Sequence, residues 1–200
     1  MENIYTLTED EKDVLQELMN VAYGSATAIV ADMLQAFAYL SIPQISVMQT
    51  NELLKTFEEL KSKSYFFSTQ GFSGEFSGES AFFINEESAN NLAKHLELEE
   101  KEDLDDAILE LTNILTSTLT TKLAQEMETE VSFSLPNISK VPLEEITEVE
   151  TFQEYSQVIV IDTDLNFKEQ KINGKIFILT KDESILWLKT KLNTLLELLI

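Results

Sequence analysis

The chain has 200 residues, 44% of them hydrophobic, and a formal net charge of −22. That is enough to build one compact domain, and the absence of cysteine excludes thiol catalysis, zinc–thiolate centres and disulfides. So acidic a surface repels phosphate backbones and anionic lipid heads, which argues against nucleic acid and membrane as partners and for a partner that presents a lysine or a metal ion.

The opening "MENIYTLTEDEK" lacks the basic and apolar regions of a signal peptide, and no apolar run is long enough to cross a bilayer. The expectation is a soluble, cytoplasmic protein. A long helix is predicted from Thr8, where "TEDE" forms a capping box of Thr8 with Glu11, to about Ala38. Strands follow at Ile45–Gln49, in "SYFFSTQGF" and in "ESAFFIN", and the helix "EESANNLAKHLEL" closes the half. The acidic "ELEEKEDLDD" is the junction. The order then repeats: a helix from about Leu104 to Glu128, strands near Val131–Leu135, in "SQVIVIDT" and in "KIFIL", and a last helix from about Asp182, with Thr180 and Glu183 as its capping pair. The expected fold is α+β: an internally duplicated, pseudo-twofold antiparallel sheet with two long helices on one face.

The duplication is explicit in the residues. Asp13, Glu17 and Asn20 recur as Asp106, Glu110 and Asn113, each 93 positions later, and Pro43 recurs as Pro136 at the same offset. Both halves read D-x3-E-x2-N-x22-P, and the chain has only three prolines. Farther on, "SGESAFFINEESANNLAKHL" matches "NGKIFILTKDESILWLKTKL" at an offset of 96. The expected organisation is a single domain of two repeats, about 8–98 and 102–200.

Positions i, i+4 and i+7 share one helix face. Asp13, Glu17 and Asn20 therefore form a narrow polar stripe that runs on to Gly24, and Asp106, Glu110 and Asn113 form one that runs on to Ser117. For Asp13 alone, a first-turn carboxylate favoured by the helix dipole is explanation enough. Asn is a mediocre helix former, so its presence at both mid-helix sites needs a reason. Lys12 has meanwhile become Asp105 and Gln16 has become Leu109, so the surrounding surface has drifted. No nucleophile–base pair accompanies the stripes. A carboxylate can form an ion pair, and an amide can hydrogen-bond a water and orient it, as a glutamine does in GTPases. The pair reads as half an active site, to be inserted into a partner that already holds a phosphoryl group and a metal. The long helices are expected to bury Leu15, Leu18, Met19 and Ile29, and Ile108, Leu111 and Leu115, leaving both stripes on an accessible side.

The double D-x3-E-x2-N-x22-P motif, with "GFSGEFSGESAFFINEESANNLAKHL" after its first copy, resembles the CheC family of chemotaxis phosphatases and its relatives CheX and FliY. The resemblance covers nearly the whole chain. It implies a phosphatase (a hydrolase) that removes the aspartyl phosphate of a CheY-type response regulator in two-component signalling. Glu17 and Glu110 would reach the active-site lysine of the receiver domain, and Asn20 and Asn113 would orient the attacking water. Asp13, Asp106, Pro43 and Pro136 would be supporting positions, and Gly24 and Ser117 the points of partner approach. The implied protein holds no metal or cofactor of its own; Mg²⁺ belongs to the receiver. Some CheC proteins also bind the deamidase CheD. The second copy departs from the family's glycine-rich turn, with Ser117 where the first has Gly24, so unequal activity of the two sites is expected.

Two rival readings stand beside this one. The first is a non-catalytic binding module of the flagellar switch or chemotaxis apparatus. The second and weaker one pairs Glu17 and Glu110 for glycoside hydrolysis. The lone His95 has no second imidazole to make a site with. "DTDLN" from Asp162 starts like a calcium loop but has Phe167 and Asn173 where Gly and Glu are needed. Trp187 and the phenylalanines are expected in the core. The terminal "LLELLI" is either a packed last turn or a contact with a second protein.

Overall fold

The computed structural model describes residues 5–50, 52–53, 55, 65–99, 101–141, 157–180 and 182–198. Its helices are α1 (Glu9–Met33), α2 (Glu86–His95), α3 (Lys101–Glu126) and α4 (Asp182–Leu198). The strands are β1 (Tyr39–Leu40), β2 (Gln44–Gln49), β3 (Tyr65–Gly74), β4 (Gly78–Asn85), β5 (Val131–Phe133), β6 (Asn137–Val141), β7 (Gln157–Phe167) and β8 (Ile172–Thr180). The α+β class expected from the sequence is what is observed.

Among the described residues, the eight strands join one antiparallel sheet in the order β1-β7-β8-β4-β3-β5, with β2 also on β7 and β6 also on β3. The short edge strands are exchanged between the halves. Tyr39 and Leu40 pair with Asn166 and Leu165, while Ser132 and Phe133 pair with Ser73 and Phe72. These are equivalent registers. So are Gln44↔Asp162 and Asn137↔Thr69. In the middle, Ala81 faces Phe177, and these two are themselves equivalent residues. The pseudo-twofold axis therefore passes between β4 and β8, and neither half completes a sheet alone.

The central strands approach closely. A Cβ on Gly78 would lie 1.9 Å from the Leu179 carbonyl oxygen and 2.8 Å from the Phe72 ring. On the equivalent Gly174 it would meet the Phe82 ring at 2.5 Å. Gly78→Ala is expected to destabilise the fold by about 2–3 kcal/mol, because backbone cannot yield as a side chain can. Urea titration checks this; an unchanged midpoint would show that the strands separate without strain.

One face of the sheet carries Phe66, Phe72, Phe82, Ile84, Ile159, Ile161 and Ile178 into the main core, together with the inner faces of the helices. α1 contributes Leu15, Met19, Ala22, Tyr23, Ala26 and Val30, and α3 contributes Ile108, Leu111, Leu115, Leu119 and Leu123, in phase with it. α1 packs along α3 and against α4. Two of the core residues named for the long helices differ. Leu18 is half-buried, and Ile29 is 45% exposed. The inward arc runs through positions 15, 19, 22, 26 and 30, so Val30 takes the place Ile29 would have had. The other sheet face is buried as well, through Phe67, Ala81, Phe83, Val158, Val160, Phe177 and Leu179. There Phe67 packs on Phe83 with ring centroids 4.8 Å apart, and Phe83 meets Phe177 edge-on at 5.6 Å. The runs "AFFI" and "VIVI" are apolar on both registers because both faces are dry.

Thr8 and Glu11 form the expected capping box at the start of α1. α1 stops at Met33 and α3 at Glu126, earlier than predicted, because Gln35 and Glu128 adopt left-handed φ values of 46° and 55°. The amides of Ala36 and Thr129 then bond back to Ala31 and Ala124, which satisfies the last carbonyls. The capping pair predicted for α4 includes Glu183, whose side chain lies outside the described residues. The Thr180 hydroxyl accepts from the Ile159 amide at 3.2 Å. At the C-terminus Leu198 is 78% exposed, so that end of the last turn is not packed.

Candidate functional site

Both stripes lie on the surface. Asp13, Glu17, Asn20 and Gly24 are exposed along α1. A Cβ placed on Gly24 would touch nothing within 4 Å, so the space beside the stripe is open. On α3, Asp106 and Glu110 are exposed, and Asn113 and Ser117 are half-buried.

The second stripe forms one wall of a groove of about 540 Å³. Asp106, Leu109, Glu110 and Asn113 line it from α3; Phe133 lines it from the end of β5, and Ser134, Leu135 and Pro136 from the connection to β6; Gln70 reaches it from β3. Three-dimensional folding thus brings Pro136 beside the carboxylate and amide that precede it in the motif. Ser117 lies one turn farther on, lining an open polar surface with Thr118, Thr121, Lys122 and Gln125. No residue of α1 lines the Glu110 groove, so Glu17 and Glu110 share no cleft there, and the glycosidase reading loses its geometric premise.

Gln70 was not legible as a site residue. Its Nε2 donates to Asn113 Oδ1 at 2.9 Å and to the Ser134 carbonyl at 2.9 Å. Ser134 anchors the connection to β3: its amide donates to the Gly71 carbonyl at 3.0 Å, and its hydroxyl accepts from the Gly71 amide at 3.0 Å. Ser41 holds the first site in the same way. Its amide donates to the Asp164 carbonyl at 2.9 Å, and its hydroxyl accepts from the Asp164 amide at 2.9 Å. Each serine stands two residues before the motif proline, an S-x-P signal that could have extended the motif. Gln70 itself had one signal: it is polar on the face of β3 from which Phe66 and Phe72, at even spacings along the same strand, enter the core.

The first site differs beneath its asparagine. The residue equivalent to Gln70 is Thr163, whose hydroxyl donates to the Ser41 carbonyl at 2.7 Å. Opposite it on α1, Tyr23 is buried, where α3 has Thr116. Burial pushes the Tyr23 phenol well above its ordinary pKa; Thr163 offsets part of this and the charge of Asp162 adds to it. Pro43 is buried, whereas Pro136 is half-buried.

The remaining sequence candidates have structural places. His95 Nε2 lies 2.6 Å from the Leu34 carbonyl, tying α2 to the end of α1. The "DTDLN" segment is strand β7, and Asp162 pairs with Lys175 at 3.0 Å. Burial raises the Asp162 pKa against the pull of Lys175. Trp187 is half-buried rather than fully in the core, stacks on Phe76 with centroids 6.5 Å apart, and donates to Glu75 at 3.1 Å. Phe37, expected inside, is 81% exposed. Among the described residues no group of three or more His, Asp and Glu could hold a metal ion, and no helix is long and apolar enough to cross a membrane.

Residues 66–161 match the family described as chemotaxis phosphatase CheX. That segment contains Gln70, Glu110, Asn113 and Pro136, though not the first stripe. No curated protein sequence matches the chain. Among solved structures, Thermotoga maritima FliY superposes with a TM-score of 0.76 at 15% identity, covering 95% of this chain and 99% of that one. The FliM middle domain of H. pylori gives 0.67 at 11% identity, covering 92% and 99%. CheX of Desulfovibrio desulfuricans gives 0.56 at 14% identity, covering 82% and 99%. At such identities these likenesses establish the fold.

Proposed function

Because the chain belongs with the CheC, CheX and FliY group of chemotaxis proteins, we propose that it hydrolyses the aspartyl phosphate of a CheY-type receiver domain. The observation that carries this reading is the pair of Glu/Asn stripes held at equivalent places on two helices, with Glu17, Asn20 and Glu110 exposed and Asn113 half-buried. Glu17 or Glu110 forms an ion pair with the receiver's lysine. Asn20 or Asn113 holds a water in line with the phosphorus. The water's oxygen bonds to phosphorus as the bond to the aspartate oxygen breaks, leaving inorganic phosphate and a free carboxylate. The protein supplies position, worth several orders of magnitude when a bound water is aligned, and the receiver supplies Mg²⁺. The net charge of −22 suits a partner that presents lysine and metal at its contact face.

A second reading is a non-enzymatic module that binds a component of the chemotaxis or flagellar apparatus. It is favoured by the likeness to FliM as well as to CheX. The decay of a phosphorylated receiver, followed with and without the protein, separates the two. Acceleration of about tenfold or more supports the phosphatase; binding with an unchanged decay rate supports the module.

The charge role has its own test. Glu17→Lys together with Glu110→Lys should weaken binding to a receiver loaded with a phosphoryl mimic more than the corresponding Gln changes do. Gln removes one attraction, whereas Lys adds a repulsion. Titration calorimetry showing equal affinity for the Lys double variant and the native protein would remove the ion pair from the mechanism.

A further inference from the structure

The two sites share their helices, serines and prolines but not the residue beneath the asparagine. We propose that Gln70 is a positioning residue that fixes the Asn113 amide, making the second site the pre-organised one; this rests on the phosphatase reading above.

The polarity of the contact follows from the backbone. The Ser134 carbonyl can only accept, so the side-chain amide of Gln70 must turn Nε2 toward it. The second proton of that NH₂ goes to the side chain of Asn113, which must therefore present Oδ1. The orientation of Asn113 is thus set by a main-chain carbonyl two bonds away in the network. Gln70 uses one lone pair of Oδ1 and leaves the other, with both N–H donors, for a water.

The arrangement has a cost that a purely structural residue would not carry. Gln70 is 2% exposed, and its Oε1 is buried without a hydrogen-bond partner among the described residues. An apolar or shorter residue would avoid that orphan. The first repeat shows the alternative: Thr163 satisfies the Ser41 carbonyl through a hydroxyl on a shorter side chain. Among the described residues no hydrogen bond is made to the exposed amide of Asn20, which must be ordered by the partner.

The test uses the full chain with one site disabled at a time. In an Asn20→Ala background, Gln70→Ala is expected to lower the maximal dephosphorylation rate about tenfold, with the half-saturating receiver concentration unchanged, because orientation acts on the reaction and not on docking. In an Asn113→Ala background the same change should have no effect. Gln70→Glu adds a readout that loss of packing would not give. It keeps the size of the side chain, but a carboxyl carries at most one proton where the amide carries two, so it cannot donate to Ser134 and Asn113 together at any pH. In the Asn20→Ala background it should therefore lower the maximal rate much as Gln70→Ala does, again with the half-saturating concentration unchanged. Equal losses in both backgrounds, or an unchanged rate in Gln70→Glu, would overturn the positioning role.

A second measurement does not depend on activity. In the free protein, the side-chain NH₂ resonances of Gln70 should move on Asn113→Ala and stay in place on Asn20→Ala. Unmoved resonances would overturn the contact. If the native protein failed to accelerate decay, the phosphatase reading would fall and the resonances would still decide the contact; if the native protein were active and Asn20→Ala alone abolished the activity, the second site would be idle and its pre-organising role would be overturned.

Discussion

Asn20→Ala combined with Asn113→Ala is expected to return the decay of the phosphorylated receiver to its unassisted rate, a loss of about 100-fold or more if the amides supply the alignment of water. Binding should persist, because Glu17 and Glu110 remain on the exposed stripes and the amide's role belongs to the transition state. The single variants rank the sites. Asn113 is held by Gln70 and lies in the groove with Pro136, so Asn113→Ala should remove the larger share. Substantial residual activity in the double variant would show that the chemistry is elsewhere. Parallel loss of binding and rate would turn the asparagines into docking residues.

The second large effect concerns stability. Lys189→Met is expected to destabilise the fold by about 3–5 kcal/mol. Glu11 is buried at 3% side-chain exposure, and its carboxylate holds Lys189 at 2.6 Å, Asn193 at 2.7 Å and the Thr8 amide at 2.8 Å. That one group caps α1 and ties it to α4. Removing Lys189 leaves a buried charge without its cation, whereas Glu11→Gln leaves a lysine that can still reach water. Lys189→Met should therefore be the worse of the two. At about 2–4 °C per kcal/mol for a chain of this size, the melting temperature should fall by roughly 10 °C.

The pH dependence gives a sign to check. Burial pulls the Glu11 pKa upward, but the bonds from Lys189, Thr8 and Asn193 outweigh it, and the net shift is below the ordinary value of 4.5. A carboxyl whose pKa is lower in the folded state stabilises above its unfolded pKa and loses that contribution as pH falls through the folded one. Native protein should thus weaken in acid, below about pH 4.5. In Lys189→Met, burial acts with less opposition and the pKa rises, so mild acid should relieve part of the penalty. Melting curves from neutral pH to mild acid that ran parallel for the two proteins would show that the ion pair contributes little.

The chain by itself determined whatever depends on neighbours a few residues apart. The stripes at Asp13–Glu17–Asn20 and Asp106–Glu110–Asn113 follow from helical periodicity, and their exposure follows from the apolar residues on the other arc. The capping box at Thr8 is a three-residue relation, so it too was readable. The equivalence of the halves was visible because the spacing of the motif did not drift.

What only the tertiary structure decided involves partners far apart in sequence. The exchange of edge strands, β1 and β2 onto β7 and β5 and β6 onto β3, leaves no mark on local pattern, since a strand reads the same whichever edge it joins. The same holds for Lys189 meeting Glu11 across 178 positions. Ile29 and Val30 are equally apolar, and only the direction from which α3 and the sheet approach α1 selects Val30. Gln70 is the sharpest case: 43 positions from Asn113 and 64 from Ser134, it becomes part of the site because a buried amide must spend its hydrogen bonds on whatever polar groups the fold brings within reach.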